Sequence, residues 1–385
     1  MQDLIHEMNP WWNEKTGSPG ISRSKYLAIL DKNHSNKDVL LITGLRRVGK
    51  STLMKQYIDR LINEKKIDPK HICYLSLDAY QFNDSSIQDL VKEFKKIHGL
   101  RINQKVYLFF DEVTSKESFN QELKNLYDLD NSKIFASSSS ASLLKDKKAH
   151  LTGRSRIIEI NPLDFYEFME FKGYSPIKSE KYLFEKYFKE YMEIGGMPEY
   201  VLTADPSYIT ALVDNIIHKD IVAVHGIRNI SVIKDLFRLI CERVGKPLSY
   251  NKISKVLGIN RDSVKNYLDY FCDCHMFYII EKDSHSLNER IADNKKIYCA
   301  DVGIRNVTVG FKDLGAVYEN MVYLEIKNKS PRYIKESGIE LDFRFDDTVI
   351  EAKYNSKINE KQEALMQKIK IKNKIIANGV EFFLK

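Results

Sequence analysis

The sequence predicts an α/β chain in which a parallel sheet built around a phosphate-binding loop and covered by a helical lid precedes a winged helix-turn-helix and a second α/β region. Three observations carry this prediction. Gly44 to Thr52, GLRRVGKST, fits G-x-x-x-x-G-K-[ST] at every fixed position. Short apolar runs alternate with amphipathic helices from 38 to about 170, the pattern of a parallel sheet with helices on both faces. Residues 227–282 then read helix, short helix, turn, helix, strand, the order of a winged helix.

Residues 1–37 form a lead-in with Pro10, a Trp11-Trp12 pair that reads as a plug against the next domain, and a turn at Thr16 to Gly20. The sheet region, 38–170, has the strand candidates VLLITG, HICYLSLD, VYLFFDEV, SKIFASSSS and SRIIEINP. The helix expected after the glycine loop, 51–65, keeps Leu53, Met54, Tyr57, Ile58 and Leu61 on one side. Strand, glycine loop and helix are what a nucleotide phosphate requires. The loop, Gly44, Leu45, Arg46, Arg47, Val48, Gly49, Lys50, Ser51 and Thr52, would curl backbone N–H groups around phosphate oxygens at a helix N-terminus. Lys50 would reach the β and γ phosphates and the Ser51 hydroxyl would bind Mg²⁺. VYLFFDEV ends in Asp111-Glu112 at the C-terminal edge of the sheet, where Asp111 would hold the Mg²⁺ shell and Glu112 would orient the attacking water. The nucleotide expected is ATP. A guanine-reading Asn-Lys-x-Asp is absent after the loop, and Asn36-Lys37-Asp38 lies before it with the wrong spacing.

Residues 171–226 read as a helical lid with stops at Gly195-Gly196 and Gly226. In the winged helix, Asn260, Arg261, Asp262, Ser263, Lys265 and Asn266 open the second long helix as polar candidates for a major groove, flanked by Lys252 and Lys255. The last region, 283–385, mixes strands such as KIYCADV, LDFRF and TVIEAKY with a Lys-rich end.

Hydrophobic content of 43% and charged content of 29% are those of a soluble globular protein. The N-terminal stretch has no secretion-signal pattern and no apolar run is long enough to span a bilayer, so a cytoplasmic protein without membrane contact is expected. A formal charge of +7 permits an anionic partner without demanding one. Cys73, Cys241, Cys272, Cys274 and Cys299 lie in apolar segments, which suits a reducing compartment. Cys272-Asp273-Cys274-His275 lacks a second ligand pair at zinc spacing, which favours packing.

GLRRVGKSTLM, LFFDEV, a Ser-rich strand end, LTGRSRIIEINPLDFYEF and EIGGMPEY occur in an order that resembles AAA-type ATPases of bacteria and archaea. In that family the C-terminal half is a domain of unknown function with a restriction-endonuclease-like fold, and the resemblance covers nearly the whole chain. It implies that Ser137 occupies the nucleotide-sensor position and that Arg154 is an arginine finger acting on a neighbouring subunit. The alternative for Arg154 is an ordinary arginine facing a helix C-terminus. Thr114 stands where the family favours Gln, and Ser137-Ser138 where Thr-Gly is usual.

Ile339 to Tyr354, IELDFRFDDTVIEAKY, reads as a β-hairpin turning at Asp346-Asp347. With Phe345 opposite Thr348, Asp342 opposes Glu351 and Glu340 opposes Lys353; all four share a face while Leu341, Phe343, Ile350 and Ala352 enter the core. Opposed carboxylates need a cation between them, and a divalent metal would serve. With Glu319 on the preceding helix, the pattern resembles a restriction-endonuclease site: Asp342 and Glu351 as metal ligands, Glu319 as an auxiliary acid, Lys353 beside the nucleophilic water. Two readings stand at this stage. One is an ATP-hydrolysing switch or motor on DNA or RNA with a nuclease-like domain; the other is an ATP-dependent signalling or defence scaffold with protein partners and a degenerate nuclease fold. Either allows self-assembly.

Overall fold

Five runs become five parallel strands, four of them buried almost throughout and the one at 155–159 a part-exposed edge. They are β1 (Val39–Thr43), β2 (Ile72–Ser76), β3 (Val106–Asp111), β4 (Ser132–Ser138) and β5 (Ser155–Glu159), in the order β2-β3-β4-β1-β5. The computed structural model describes residues 1–14, 17, 19–139, 151–177, 179–284 and 286–384, with the backbone alone at 291 and 292. Thr16 and Ser18 of the expected N-terminal turn lie outside the described residues. On one face Val39 and Leu41 share a core with residues of α1 (Gln2–Met8), α4 (Ile87–Ile97) and α5 (Phe119–Leu129). On the other, Phe109 and Phe135 stack at 4.5 Å, with Tyr57 of α3 (Lys50–Asn63) 5.3 Å from Phe135. A short helix, α2 (Ser24–Lys32), closes the lead-in before β1.

The chain divides into two units, Met1–Asn161 and Pro162–Lys385. The lead-in therefore belongs to the first unit with the sheet, and the stretch 162–170, expected in the sheet region, belongs to the second. Both tryptophans sit against the β2 edge: Trp12 donates its Nε1 hydrogen to the Ile72 carbonyl at 2.8 Å and stacks on Phe94.

The second unit opens with α6 (Phe165–Lys172), α7 (Lys181–Ile194), α8 (Pro198–Thr203) and α9 (Pro206–Asn215), the last running on through a π-helical turn, Ile216–Val222. EIGGMPEY is a packing knot. A Cβ on Gly195, at φ 76°, would lie 2.5 Å from an Asp301 carboxylate oxygen, and one on Gly196 2.2 Å from the Leu163 carbonyl. Buried Asp301 accepts the Gly196 N–H at 2.6 Å.

Next come α10 (Ile230–Cys241), β6 (Pro247–Leu248), α11 (Tyr250–Leu257), α12 (Arg261–Asp273), β7 (Phe277–Ile280), a short α13 (Leu287–Ala292) and β8 (Lys295–Cys299). β6, β8 and β7 form one antiparallel sheet in that order. The position 282/283, expected as a boundary, thus lies between strands of one sheet, to which KIYCADV contributes β8.

α14 (Val302–Val309) and α15 (Leu314–Ile326) lead into β9 (Arg332–Glu336), β10 (Ile339–Phe345) and β11 (Thr348–Lys353), then α16 (Glu360–Lys368) and β12 (Asn373–Asn378). The sheet order is β12-β11-β10-β9, with β12 parallel to β11 and the other pairs antiparallel. The hairpin turns at the expected residues, Phe345 opposite Thr348. Its lower half departs from strict alternation, because the register of β10 against β9 slips between Leu341 and Arg344. One extra residue reverses the side-chain parity. Leu341 therefore packs with Val349, Leu365 and Met366, while Phe343 and Ile350 enter a different core, correcting the expectation that Leu341 and Phe343 share a face.

Candidate nucleotide site and a lysine-held carboxylate cluster

The loop from β1 to α3 is shaped by close backbone approach. Gly44 has φ 143° and a Cβ there would lie 2.2 Å from the Ile160 carbonyl oxygen. Arg47 and Gly49 also have positive φ, 62° and 98°. Such residues interleaved with ordinary ones turn successive N–H groups to one side, and the α3 N-terminus adds its dipole. Leu45 and Val48 are buried and anchor the loop. The buried Arg23 guanidinium donates to the Val48 carbonyl at 3.3 Å and the Asn161 carbonyl at 3.0 Å, tying the loop to the end of the first unit. Lys50 is 5% exposed, and its Nζ donates to the Gly44 and Leu45 carbonyls at 3.0 and 3.2 Å, so the ammonium lies over the loop itself. Arg46 is half-buried, and Arg47, Ser51 and Thr52 are exposed.

At the end of β3, Asp111 is buried and both its carboxylate oxygens are engaged: Oδ2 accepts the Tyr74 hydroxyl at 2.6 Å and Oδ1 accepts the Ser137 hydroxyl. Glu112 follows in a left-handed conformation. Its N–H donates to Ser137 Oγ at 3.1 Å, and its Oε2 accepts from Ser139 at 3.4 Å. Burial raises the Glu112 carboxyl above the usual range against the pull of Lys50 and Arg46. Ser137 has no exposed surface and links the two acids, donating to Asp111 and accepting the Glu112 N–H. The oxygens of Ser51 and Asp111 are the hard donors that suit Mg²⁺.

Arg154 stands elsewhere. It precedes β5, whose Ser155 pairs with Val39 at the start of β1, whereas the phosphate loop follows the end of that strand. At about 3.3 Å per residue the two edges lie some 13–16 Å apart, so Arg154 does not reach its own loop. Its Nε donates to Asp128 Oδ1 at 3.0 Å in the last turn of α5.

In the second unit the four carboxyl groups singled out from the sequence do converge, but the cation among them is a side chain. Lys296 of β8, 1% exposed, places Nζ 3.0 Å from Glu319 Oε1, 2.7 Å from Glu340 Oε1 and 3.3 Å from Asp342 Oδ1. Lys353 pairs with Glu351 at 2.7 Å, and the Gln362 amide of α16 donates to Glu351 at 2.6 Å. Asp342 accepts the Ala352 N–H and donates its own N–H to Glu351, both across the bulge. This corrects the expectation of a divalent metal held by Asp342, Glu351 and Glu319: an ammonium already lies among the carboxylates. Among the described residues no group of three or more His, Cys, Asp or Glu is arranged to hold a metal ion, Cys272, Cys274 and His275 included. Burial and neighbouring Asp342 push Glu319 up to about 8 and Glu351 up to about 7, while the surrounding acids keep Lys296 protonated. Two ammoniums and four carboxyl groups balance when two of the four keep their protons.

On α11 and α12, Lys252, Lys255, Arg261, Lys265 and Asn266 are exposed. Asn260 is spent on the helix, accepting the Ser263 N–H at 2.6 Å as its N-cap. The wing is engaged too: Asp283 N–H donates to the Tyr333 carbonyl at 2.7 Å, and Tyr333 N–H to the Glu281 carbonyl at 3.1 Å, which covers the β9 edge.

A glycine-rich loop and a strand-end Asp-Glu at the C-terminal edge of an all-parallel sheet define a Walker-type P-loop protein, and residues 36–169 match the family described as AAA domain. Residues 185–315 match a domain of unknown function, DUF8612. The chain is 30% identical over 325 residues to the uncharacterized protein MJ1544 of Methanocaldococcus jannaschii, covering 79% of this chain and 71% of that one. It belongs to the same family as this protein, and its residues 36–169 form an AAA domain. An uncharacterized protein of Haemophilus influenzae is 28% identical over 323 residues, covering 80% of this chain and 78% of that one. Among solved structures, the Walker-type ATPase PABY2304 of Pyrococcus abyssi aligns at a TM-score of 0.46 and 15% identity over 77% of this chain and 99% of that one. The Aeropyrum pernix ORC1 protein, solved in complex with DNA, aligns at 0.36 and 11% over 76% and 93%.

Sequence reasoning missed Asn9, Arg23, Tyr74, Lys296 and Gln362. Lys296 left one faint signal, its place directly before the apolar residues of KIYCADV, although Lys295 beside it gives the pair the look of an ordinary exposed strand start. The others left none, since each acts on a residue distant in the chain.

Proposed function

We propose that the chain is a cytoplasmic ATP-hydrolysing switch whose winged helix meets nucleic acid and whose C-terminal carboxylate cluster is held closed by Lys296. The observation that carries the ATPase reading is Glu112, its carboxyl raised by burial, standing beside Lys50 and Asp111 at the mouth of a loop where Gly44 admits no side chain. Ser51 and Asp111 would hold Mg²⁺, which when bound neutralises charge on the transferring phosphoryl group. The Lys50 ammonium exchanges the Gly44 and Leu45 carbonyls for phosphate oxygens. Glu112 orients the attacking water and takes its proton, a task suited by a carboxyl that burial raises above its usual range. Arg154 serves a second copy of the chain by leaving Asp128, since its own loop is beyond reach. Nucleic-acid contact is supported by Arg261, Lys265 and Asn266 on the exposed start of α12 and by Lys252 and Lys255 on α11. A fold of the restriction-endonuclease kind is supported by the convergence of Glu319, Asp342, Glu351 and Lys353. Cleavage is disfavoured, because a buried ammonium and the half-buried Lys353 occupy the acids a metal would need.

The test is ATP turnover by the full chain with and without DNA and RNA, with strand integrity followed in the same reactions. Turnover that rises with nucleic acid, intact strands, and loss of turnover in Lys50→Ala are expected. No turnover by the wild type would refute the ATPase reading, and metal-dependent strand breakage would refute the closed cluster.

A further inference from the structure

We infer that Tyr74 is a positioning residue for Asp111, a carboxylate of the Mg²⁺ site, and that Asn9 of the lead-in fixes where this tyrosine stands. The inference rests on the reading that the loop holds ATP and Mg²⁺.

β2 is an edge strand, so the outward N–H and C=O of alternate residues lack a strand partner. At Tyr74 one side chain supplies both missing bonds. The Tyr74 N–H donates to Asn9 Oδ1 at 2.6 Å, and Asn9 Nδ2 donates to the Tyr74 carbonyl at 2.9 Å and the Ile5 carbonyl at 2.7 Å. Asn9 has no exposed surface, and Trp12 repeats the contact two residues away on Ile72. The backbone of Tyr74 is thus held from the lead-in side while its hydroxyl is held from the sheet side. That hydroxyl donates to Asp111 Oδ2 at 2.6 Å, across from β2 to the end of β3. Lys55 of α3, 5.2 Å from the ring centroid, fixes the ring from the helix side. A neutral donor held from both sides fixes the direction of the Asp111 carboxylate before the ion arrives.

Tyr74→Phe keeps the buried ring and removes the link. A non-hydrolysable fluorescent ATP analogue is titrated onto the full chain at increasing Mg²⁺, and separately in chelator. For Tyr74→Phe the Mg²⁺ concentration giving half of the affinity gain should rise about tenfold, the size of one lost bond to a charged group. Affinity in chelator should stay within about twofold and tryptophan-detected melting should stay near wild type, as a local loss requires. Asn9→Ala should shift the Mg²⁺ requirement in the same direction. An unchanged Mg²⁺ requirement in Tyr74→Phe overturns the inference, as does an equal loss of affinity with and without Mg²⁺, which marks a merely structural role. An unchanged requirement in Asn9→Ala overturns the lead-in half. A wild type that binds no nucleotide overturns the ATPase reading itself, a result distinct from all of these.

Discussion

Replacing Lys296 by Met keeps the length of the stem and removes the one ammonium shared by Glu319, Glu340 and Asp342. With Lys296 1% exposed and the side chains of Glu319 and Asp342 15% and 11% exposed, this is the breaking of a buried ion cluster by loss of one partner. Such losses cost about 3–5 kcal/mol. For a unit the size of 162–385, each kcal/mol moves the midpoint by about 2–4 °C, so a fall of about 6–20 °C is expected at pH 8.5. The pH dependence has a definite sign. Glu319 and Glu351 keep protons in the folded chain up to about 8 and about 7, whereas the unfolded chain releases them at the ordinary carboxylate value. Wild-type stability from these groups is therefore complete below that value and declines as pH rises toward 8. Without the ammonium the protonated forms are favoured further, so the deficit of Lys296→Met should shrink at pH 5.5. Both tryptophans, Trp11 and Trp12, lie in the first unit, which supplies an internal control. Melting of the full chain by circular dichroism should show the deficit while tryptophan fluorescence does not move. A variant that melts with the wild type, or whose deficit is the same at pH 5.5 and 8.5, would refute the counter-ion role.

Glu112→Gln should bind ATP with near wild-type affinity yet turn it over at least about a hundredfold more slowly, because the proton acceptor is gone; equal turnover would show that another group takes the proton. Arg154→Ala mixed with Lys50→Ala should recover part of the turnover that each lacks, since every shared interface needs one intact member of each kind. Mixed assemblies without recovery would leave Arg154 as the partner of Asp128 alone. Arg261→Ala with Lys265→Ala should weaken binding to DNA and RNA and lower the steepness of its salt dependence, read by fluorescence anisotropy at several ionic strengths. An unchanged salt slope would remove α12 from the nucleic-acid surface.

The parallel sheet was legible because its information is local: each strand is a continuous apolar run, and the loop motif has fixed spacing. The hairpin turn was legible for the same reason. Pairing between distant segments was not. KIYCADV has the composition of a strand, but nothing within it tells whether its neighbours are Leu248 and Ile279 or residues of the last sheet. The bulge near Asp342 inverts the faces of Leu341 and Phe343 with no glycine to mark it. In the carboxylate site the acids were found because they repeat with strand period, whereas their cation came from another sheet. The need for a positive charge was correctly inferred, and its chemical identity was not, since an ammonium and a metal ion answer the same electrostatic demand.

Lys296 belongs by hydrogen bonding to the winged-helix sheet and by charge to the last one, so the two are separate modules only on paper. A fragment beginning after residue 300 would carry Glu319, Asp342 and Glu351 into a core without the β8 ammonium, and a fragment ending before it would strand a lysine. Expression of either half should yield insoluble or unfolded material, whereas a cut between 161 and 162 spares the cluster. Homologous exchange faces the same constraint: a winged helix transplanted from a relative must bring a basic residue at the position of Lys296, or the recipient sheet must lose an acid in the same step.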